Sequence, residues 1–262
     1  MPDSPFITPR TMTANATLVL FDQKLDIAVT APVERVRFSV FLPMVQQLGD
    51  LVVDVAADEC RAQGVAISCK KGCGACCIQA VPVAPSEARA IRDLIEELPE
   101  PRRTAVRERF SAGRDRLEEA GLLDTLLDTG GLVDDEIFEL GREYLRLQIP
   151  CPFLEDMACS IHAQRPIRCR EYLVTSSPEF CAGPEAHTIT RVRLPAEVFR
   201  SMLAVGGESA TRGKARWVPM IVAPEWADTH PDTSMPRPGT DLVRELFETL
   251  SGTRLPSPDL PI

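Results

Sequence analysis

The stretch Cys69-Lys70-Lys71-Gly72-Cys73-Gly74-Ala75-Cys76-Cys77 decides how this chain is read. Four thiols fall within nine residues, and four more follow as Cys151, Cys159, Cys169 and Cys181 in CPFLEDMACSIHAQRPIRCREYLVTSSPEFC. A reducing compartment keeps such thiols free, and clustered thiolates are strong ligands for zinc and for iron-sulfur clusters. At about 100° per residue, positions 69, 73, 76 and 77 would share one helical face, but Gly72 and Gly74 disfavour a regular helix there. The first group is therefore expected as a wrapped loop whose glycines let backbone N–H groups approach sulfur. Lys70 and Lys71 would stabilise thiolate charge in the same sense.

Working outward, helices are expected to separate the two groups. Leu48, Val52, Val55 and Ala56 recur at helical spacing between Pro43 and Gln63, and Gly64 can end that helix. Cys60 continues the apolar face, and its expected role is a small buried hydrophobe rather than a ligand. Ile78 to Val83 reads as a short extended run, and Pro85-Ser86-Glu87 as a helix start with Ser86 its candidate cap. A second helix from Arg102 to Ala120 turns Val106, Phe110, Gly113 and Leu117 inward, and a third from Asp134 carries Ile137, Phe138, Gly141, Tyr144 and Leu145 until Pro150.

Before these, Thr17–Phe21 and Leu25–Thr30 suggest a small hairpin. After Cys181, Arg191–Leu194 reads as a strand, Pro195–Leu203 as a helix, Arg216–Val222 as a strand and Pro231–Gly239 as a linker. Leu242, Val243, Leu246, Phe247 and Leu250 then mark a terminal helix, and the closing SPDLPI is expected to be loose. The expected fold class is α+β, mostly helical, with irregular cysteine-rich metal loops bridging helices and a small N-terminal hairpin. The organisation expected is an N-terminal extension over 1–42, a cysteine-cluster metal-binding domain over 43–185 and a C-terminal extension over 186–262.

Composition bounds the function. Of 262 residues 44% are hydrophobic and 26% charged, which is enough apolar side chain for a packed core. With 38 acidic against 29 basic residues the net charge is −9, so nucleic acid is not expected as a partner. No basic segment followed by a long apolar run opens the chain, and no stretch reaches about 18 uninterrupted apolar residues, so a cytoplasmic protein with no membrane association is expected. A protein or peptide partner remains open.

The spacing Cys69-x3-Cys73-x2-Cys76 matches the three-cysteine signature of radical S-adenosylmethionine enzymes. Ala75, however, stands where those enzymes carry an aromatic residue, and the downstream chain lacks their strand-helix alternation. A different resemblance rests on CKKGCGACC, CPFL, CSIH, RPIRCR and Cys181, over about residues 60 to 185. Together these resemble the YkgJ-like cysteine-cluster family, a zinc- or iron-chelating domain. The resemblance implies metal chelation by Cys69, Cys73, Cys76, Cys77, Cys151, Cys159, Cys169 and Cys181, without fixing metal or nuclearity. It also extends to cysteine-cluster proteins linked to lysine methylation of flagellin, which implies a peptide- or protein-modifying role as one option.

His162 is a departure from an aromatic family position. It stands three residues after Cys159 and is expected to be packed or hydrogen-bonded rather than a ligand. Arg165, Arg168 and Arg170 are read as charge balance for an anionic site, the alternative being that Arg165 and Arg170 make surface salt bridges. Glu171 and Tyr172 are acid-base candidates beside such a site, or parts of a packed helix start. His187 and His230 have no assigned partner. The spread of the second group is unlike the paired spacing of zinc ribbons, whereas iron-sulfur clusters accept remote ligands. An iron-sulfur cluster is thus favoured as cofactor, with two four-cysteine zinc sites in a structural or partner-binding module as the alternative.

Overall fold

The computed structural model describes residues 10–183, 189–206 and 217–252. Its elements run β1 (Thr11–Leu20), β2 (Gln23–Pro32), β3 (Arg35–Val36), α1 (Leu42–Ala62), β4 (Pro82–Val83), α2 (Pro85–Glu97), α3 (Arg102–Glu119), α4 (Leu123–Leu127) and α5 (Asp134–Arg146). They continue with β5 (Leu154–Glu155), β6 (Ala158–Cys159), α6 (Ile167–Glu171), α7 (Val198–Val205), β7 (Val218–Pro219), α8 (Ala223–Thr229), β8 (Arg237–Pro238) and α9 (Gly239–Ser251). The expected α+β, mostly helical architecture is what the chain adopts. Its described strands form four antiparallel pairs: β1 with β2, β3 with β8, β4 with β7, and β5 with β6.

Two apolar cores result, and neither comes from a single stretch of chain. The first joins α2, α3, α4 and α5 to Phe153, Ile161 and residues 218–227. Leu117, Val106 and Trp226 are buried at its centre. The second joins the β1–β2 hairpin, α1, α7 and α9, with Val45, Val52, Val198 and Leu246 fully enclosed. Both α1 and α9 follow the 3.6-residue stripe, which turns one face of each into this core. By length and composition, the helical stretch Phe38–Ala62 is apolar enough to cross a membrane. Here Val45, Leu48, Val52 and Val55 of that stretch pack within the protein.

Several local expectations are corrected. The hairpin extends well beyond Thr17–Phe21 and Leu25–Thr30, because polar and apolar residues alternate through ten paired positions of each strand. Ser86 does not cap α2: Ala84 holds that position, and the Glu87 carboxylate accepts its N–H at 2.9 Å. Leu140, not Phe138, carries the buried face of α5, and Phe138 is 56% exposed. The strand at Arg191–Leu194 shrinks to one bridge between Val174 and Arg191. Of the strand over Arg216–Val222, Arg216 lies outside the described residues, Val218–Pro219 pairs with β4, and a 3-10 turn follows. Helices α4 and α8 are too short to leave a period in the sequence. The stretch Pro231–Gly239 contains β8, and the closing SPDLPI lies outside the described residues.

Two buried contacts decide how the helices meet. Glu87, 3% exposed, accepts Ala84 N–H through one oxygen and Ile167 N–H through the other at 2.7 Å, so one carboxyl fixes the starts of α2 and α6. At the other, Gly239 opens α9 where a Cβ would run into the Pro32 carbonyl oxygen and within 3.2 Å of the Phe41 ring. Only glycine permits that approach of α9 to the end of β2.

Burial pushes the Glu87 carboxyl up to about 7, against two N–H bonds that favour its charge. Because its folded value exceeds its unfolded value, the folded state holds the proton more tightly between the two. Stability from this group is full below the unfolded value and is lost as pH rises through about 7, by roughly 3 kcal/mol in all. Urea unfolding of metal-free protein at pH 5 and pH 8 should show that loss, and Glu87→Gln should remove it while costing about 1–3 kcal/mol of its own at pH 5. Equal pH dependence in the two proteins would contradict the assignment. Gly239→Ala should lower stability by about 1–3 kcal/mol, read from the urea midpoint, because backbone rather than a flexible side chain must yield.

Candidate metal centre

The cysteine loops lie where the two cores meet. Cys151 and Cys159 pack against the first core, while Ile167, two residues before Cys169, is buried in the second. The first group is the wrapped loop its glycines predict. Cys73 N–H donates to Lys70 C=O at 3.0 Å and Cys77 N–H to Gly74 C=O at 2.9 Å, a run of turns rather than a helix. Gly72 takes a φ of 84°, a conformation glycine adopts without strain. Gly74 is buried, and a Cβ there would sit 3.1 Å from Met157 C=O and close on Leu154. Leu154 and Met157 belong to the β5–β6 hairpin, whose turn has Asp156 and Met157 both at positive φ. The loop therefore nests on the hairpin that carries Cys159.

Backbone bonds stitch the two groups together. Cys151 N–H donates to Cys77 C=O at 2.6 Å, and Ser68 N–H to Val174 C=O at 2.9 Å. Val174 N–H in turn donates to Cys69 Sγ at 3.4 Å. Gln79 Nε2 reaches Cys181 C=O at 2.9 Å and the Tyr172 hydroxyl at 3.3 Å. Cys169 rides on α6, which Glu87 anchors, and Cys181 is buried in the 3-10 turn Pro178–Ala182.

The thiols feel one another. Ionisation of Cys69 is opposed by Cys76 and Cys73, and that of Cys181 by Cys76, Cys69 and Cys73. Cys169 is opposed in the same way by Cys151, Cys76 and Cys159. Cys76 is the thiol common to both cysteine groups: it opposes ionisation of Cys69 and Cys181 and likewise of Cys151, Cys159 and Cys169. It hydrogen-bonds to the Cys77 side chain, which, with burial, drives its thiol far up. Burial is the leading cause elsewhere: it pushes Cys151 up to about 12 and raises Cys69, Cys159, Cys169 and Cys181. Backbone N–H bonds pull the other way, from Phe153 and Leu154 on Cys151 and from Ile161 on Cys159.

This donor set suits a thiophilic metal. It consists of sulfur alone, partly shielded from water, with N–H groups already aimed at several sulfurs, the arrangement that stabilises metal-bound thiolates. Among the described residues no three Cys, His, Asp or Glu side chains stand at ion-holding positions, so the thiols are gathered without being closed into a polyhedron.

Cys60 is half-buried on α1 rather than enclosed. His162 is exposed on a 3-10 turn, not packed as expected, and the positive charge of Arg165 lowers its basicity. His230 stacks on Trp226 with centroids 4.4 Å apart and bonds the Trp226 carbonyl, while His187 lies outside the described residues. Glu171 is buried and accepts Phe199 N–H at 3.1 Å, tying α6 to α7. Tyr172 hydrogen-bonds the Cys181 thiol, with Arg191 5.0 Å above its ring. Lys70 and Lys71 are exposed. Gln79 and Glu87, which orient the loops, carry no motif signal and were not legible from sequence.

A thiol-rich, loop-built centre between two helical cores defines a cysteine-cluster metal-binding domain. Residues 68–187 match the model of the family CxxCxxCC, described as "Putative zinc- or iron-chelating domain", the YkgJ-like cysteine-cluster family. No curated protein and no solved structure matches the chain.

Raised thiols must lose protons before they bind metal, so protons and metal compete. Zinc affinity of the reduced protein, measured by competition with a chromophoric chelator, should rise steeply from pH 6 to pH 8, with proton release in weakly buffered solution. Affinity independent of pH would mean that the cysteines are not the ligands.

Proposed function

We propose that this chain holds an iron-sulfur cluster on thiolates drawn from Cys69, Cys73, Cys76, Cys77, Cys151, Cys159, Cys169 and Cys181, in a reducing cytoplasmic setting. The observation that carries the reading is the convergence of both cysteine groups on Cys76, with N–H donors facing Cys69, Cys151 and Cys159. Such donors favour the anionic thiolates of a cluster and raise its reduction potential. When bound, the cluster would supply one-electron chemistry. The chain's own part is to bring remote thiols together, exclude water from one side of them and fix their orientation through Gln79, Tyr172 and the Val174 backbone.

A redox role follows most directly, because Glu171 and Tyr172 are both engaged in holding the site rather than facing a substrate. A peptide- or protein-modifying role is the extension of that reading in which one iron stays accessible. The alternative is zinc, which the family description names beside iron. Closed four-thiolate zinc sites would make this a structural or partner-binding module, since such sites contribute directly to folding.

Anaerobic purification followed by metal and acid-labile sulfide analysis separates the two. Iron with equimolar sulfide and a broad absorbance near ~400 nm is expected, retained in Cys60→Ser and lost in Cys76→Ser. Colourless protein with one or two zinc ions and no sulfide would overturn the iron-sulfur reading in favour of zinc.

A further inference from the structure

The element Arg165-Pro166-Ile167-Arg168-Cys169-Arg170 holds three guanidinium groups, and each meets different surroundings. Arg170 is 4% exposed and fully used: it donates to Asp50 at 2.6 Å, to Arg165 C=O at 2.9 Å and to Ala163 C=O at 2.5 Å. Arg168 leans on the Phe199 ring, 5.6 Å from its centroid, and faces Glu171 at 3.6 Å. Both serve to dock α6 on α1 and α7.

Arg165 differs. Its Nε is buried and has no hydrogen-bond partner. It stands within electrostatic reach of Cys69 and Cys76 of the first group and of Cys159 of the second. The residue cannot easily drift away, because its own carbonyl is held by Arg170 and Pro166 follows it. A buried N–H without an acceptor is costly, and an anion placed beside it would relieve that cost.

We propose that Arg165 is a positioning residue shared by both cysteine groups, the cation that balances thiolate charge when metal is bound. Nε–H is the donor held ready for that anionic assembly. The assignment rests on the metal-binding reading above, and applies to iron and zinc alike, since four thiolates leave either site anionic.

The test uses the full chain, reduced and metal-free, with Arg165→Met, Arg165→Gln and Arg165→Lys and with Arg168→Gln as the cation of the same element that faces elsewhere. Met keeps the aliphatic stem, so whichever neutral variant retains the metal-free melting temperature is the one read. Zinc affinity by chelator competition should fall about 10-fold or more in that variant, the range seen when outer residues of metal sites are removed. Arg165→Lys should recover most of the loss, and Arg168→Gln should lose clearly less than the neutral Arg165 variants. In iron-loaded protein, losing the charge should also move the reduction potential to more negative values. Unchanged affinity in the neutral variants, an equal loss in Arg168→Gln, or no recovery with lysine would overturn the role of Arg165. A parent chain that binds neither zinc nor iron would instead overturn the metal-binding reading, and this assignment with it.

Discussion

One buried carboxyl underlies the rest of the structure. Glu87 ends the orphan N–H of Ala84 at the start of α2 and that of Ile167 at the start of α6, eighty residues away in sequence. Ala84 belongs to the second core and Val83 beside it to the first, so this point is also where the two cores join. The helix that carries Cys169 therefore inherits its position from a helix that carries no cysteine. A carboxyl in that place is destabilised by burial and stabilised by directed N–H groups, and the balance leaves it close to neutrality.

Much of this was open to a reader of the sequence, and the parts that were not share a cause. Helices α1, α3 and α9 were legible because Val52, Val106 or Leu246 repeats at the period that burying one helical face demands. The wrapped loop was legible because Gly72 and Gly74 break a helix that cysteine spacing alone would allow. By contrast, α4 and α8 span five and seven residues, too few for a period to show. Ser86 lost the cap to Ala84 since Glu87, reaching back, satisfied the same N–H. The eight cysteines could be named from sequence, but their grouping could not, because Cys181 meets Cys69 and Cys73 only through contacts as remote as Gln79 with Cys181.

Electrostatics around the thiols runs in two opposed directions. Desolvation and mutual repulsion oppose ionisation of Cys151, Cys159 and Cys169, while N–H donors to Cys151 and Cys159, and Arg165 near Cys159, favour the charged form. The first pair of effects makes idle thiols poor nucleophiles, which protects a dense cluster from adventitious oxidation. The second pair becomes dominant only when a cation arrives to hold the charge. The site is thus quiet until it is loaded.

The crossing of the chain between the cores also sets an order of events during synthesis. The four cysteines of the first group and the four of the second leave the ribosome well before Val218, whose strand pairs with Val83, and before Gly239, whose helix seats against Pro32. Until those late segments arrive, the first core lacks Trp226 and the second lacks Leu246 and Phe247. The walls behind both cysteine groups are therefore closed by segments made after every one of the eight cysteines.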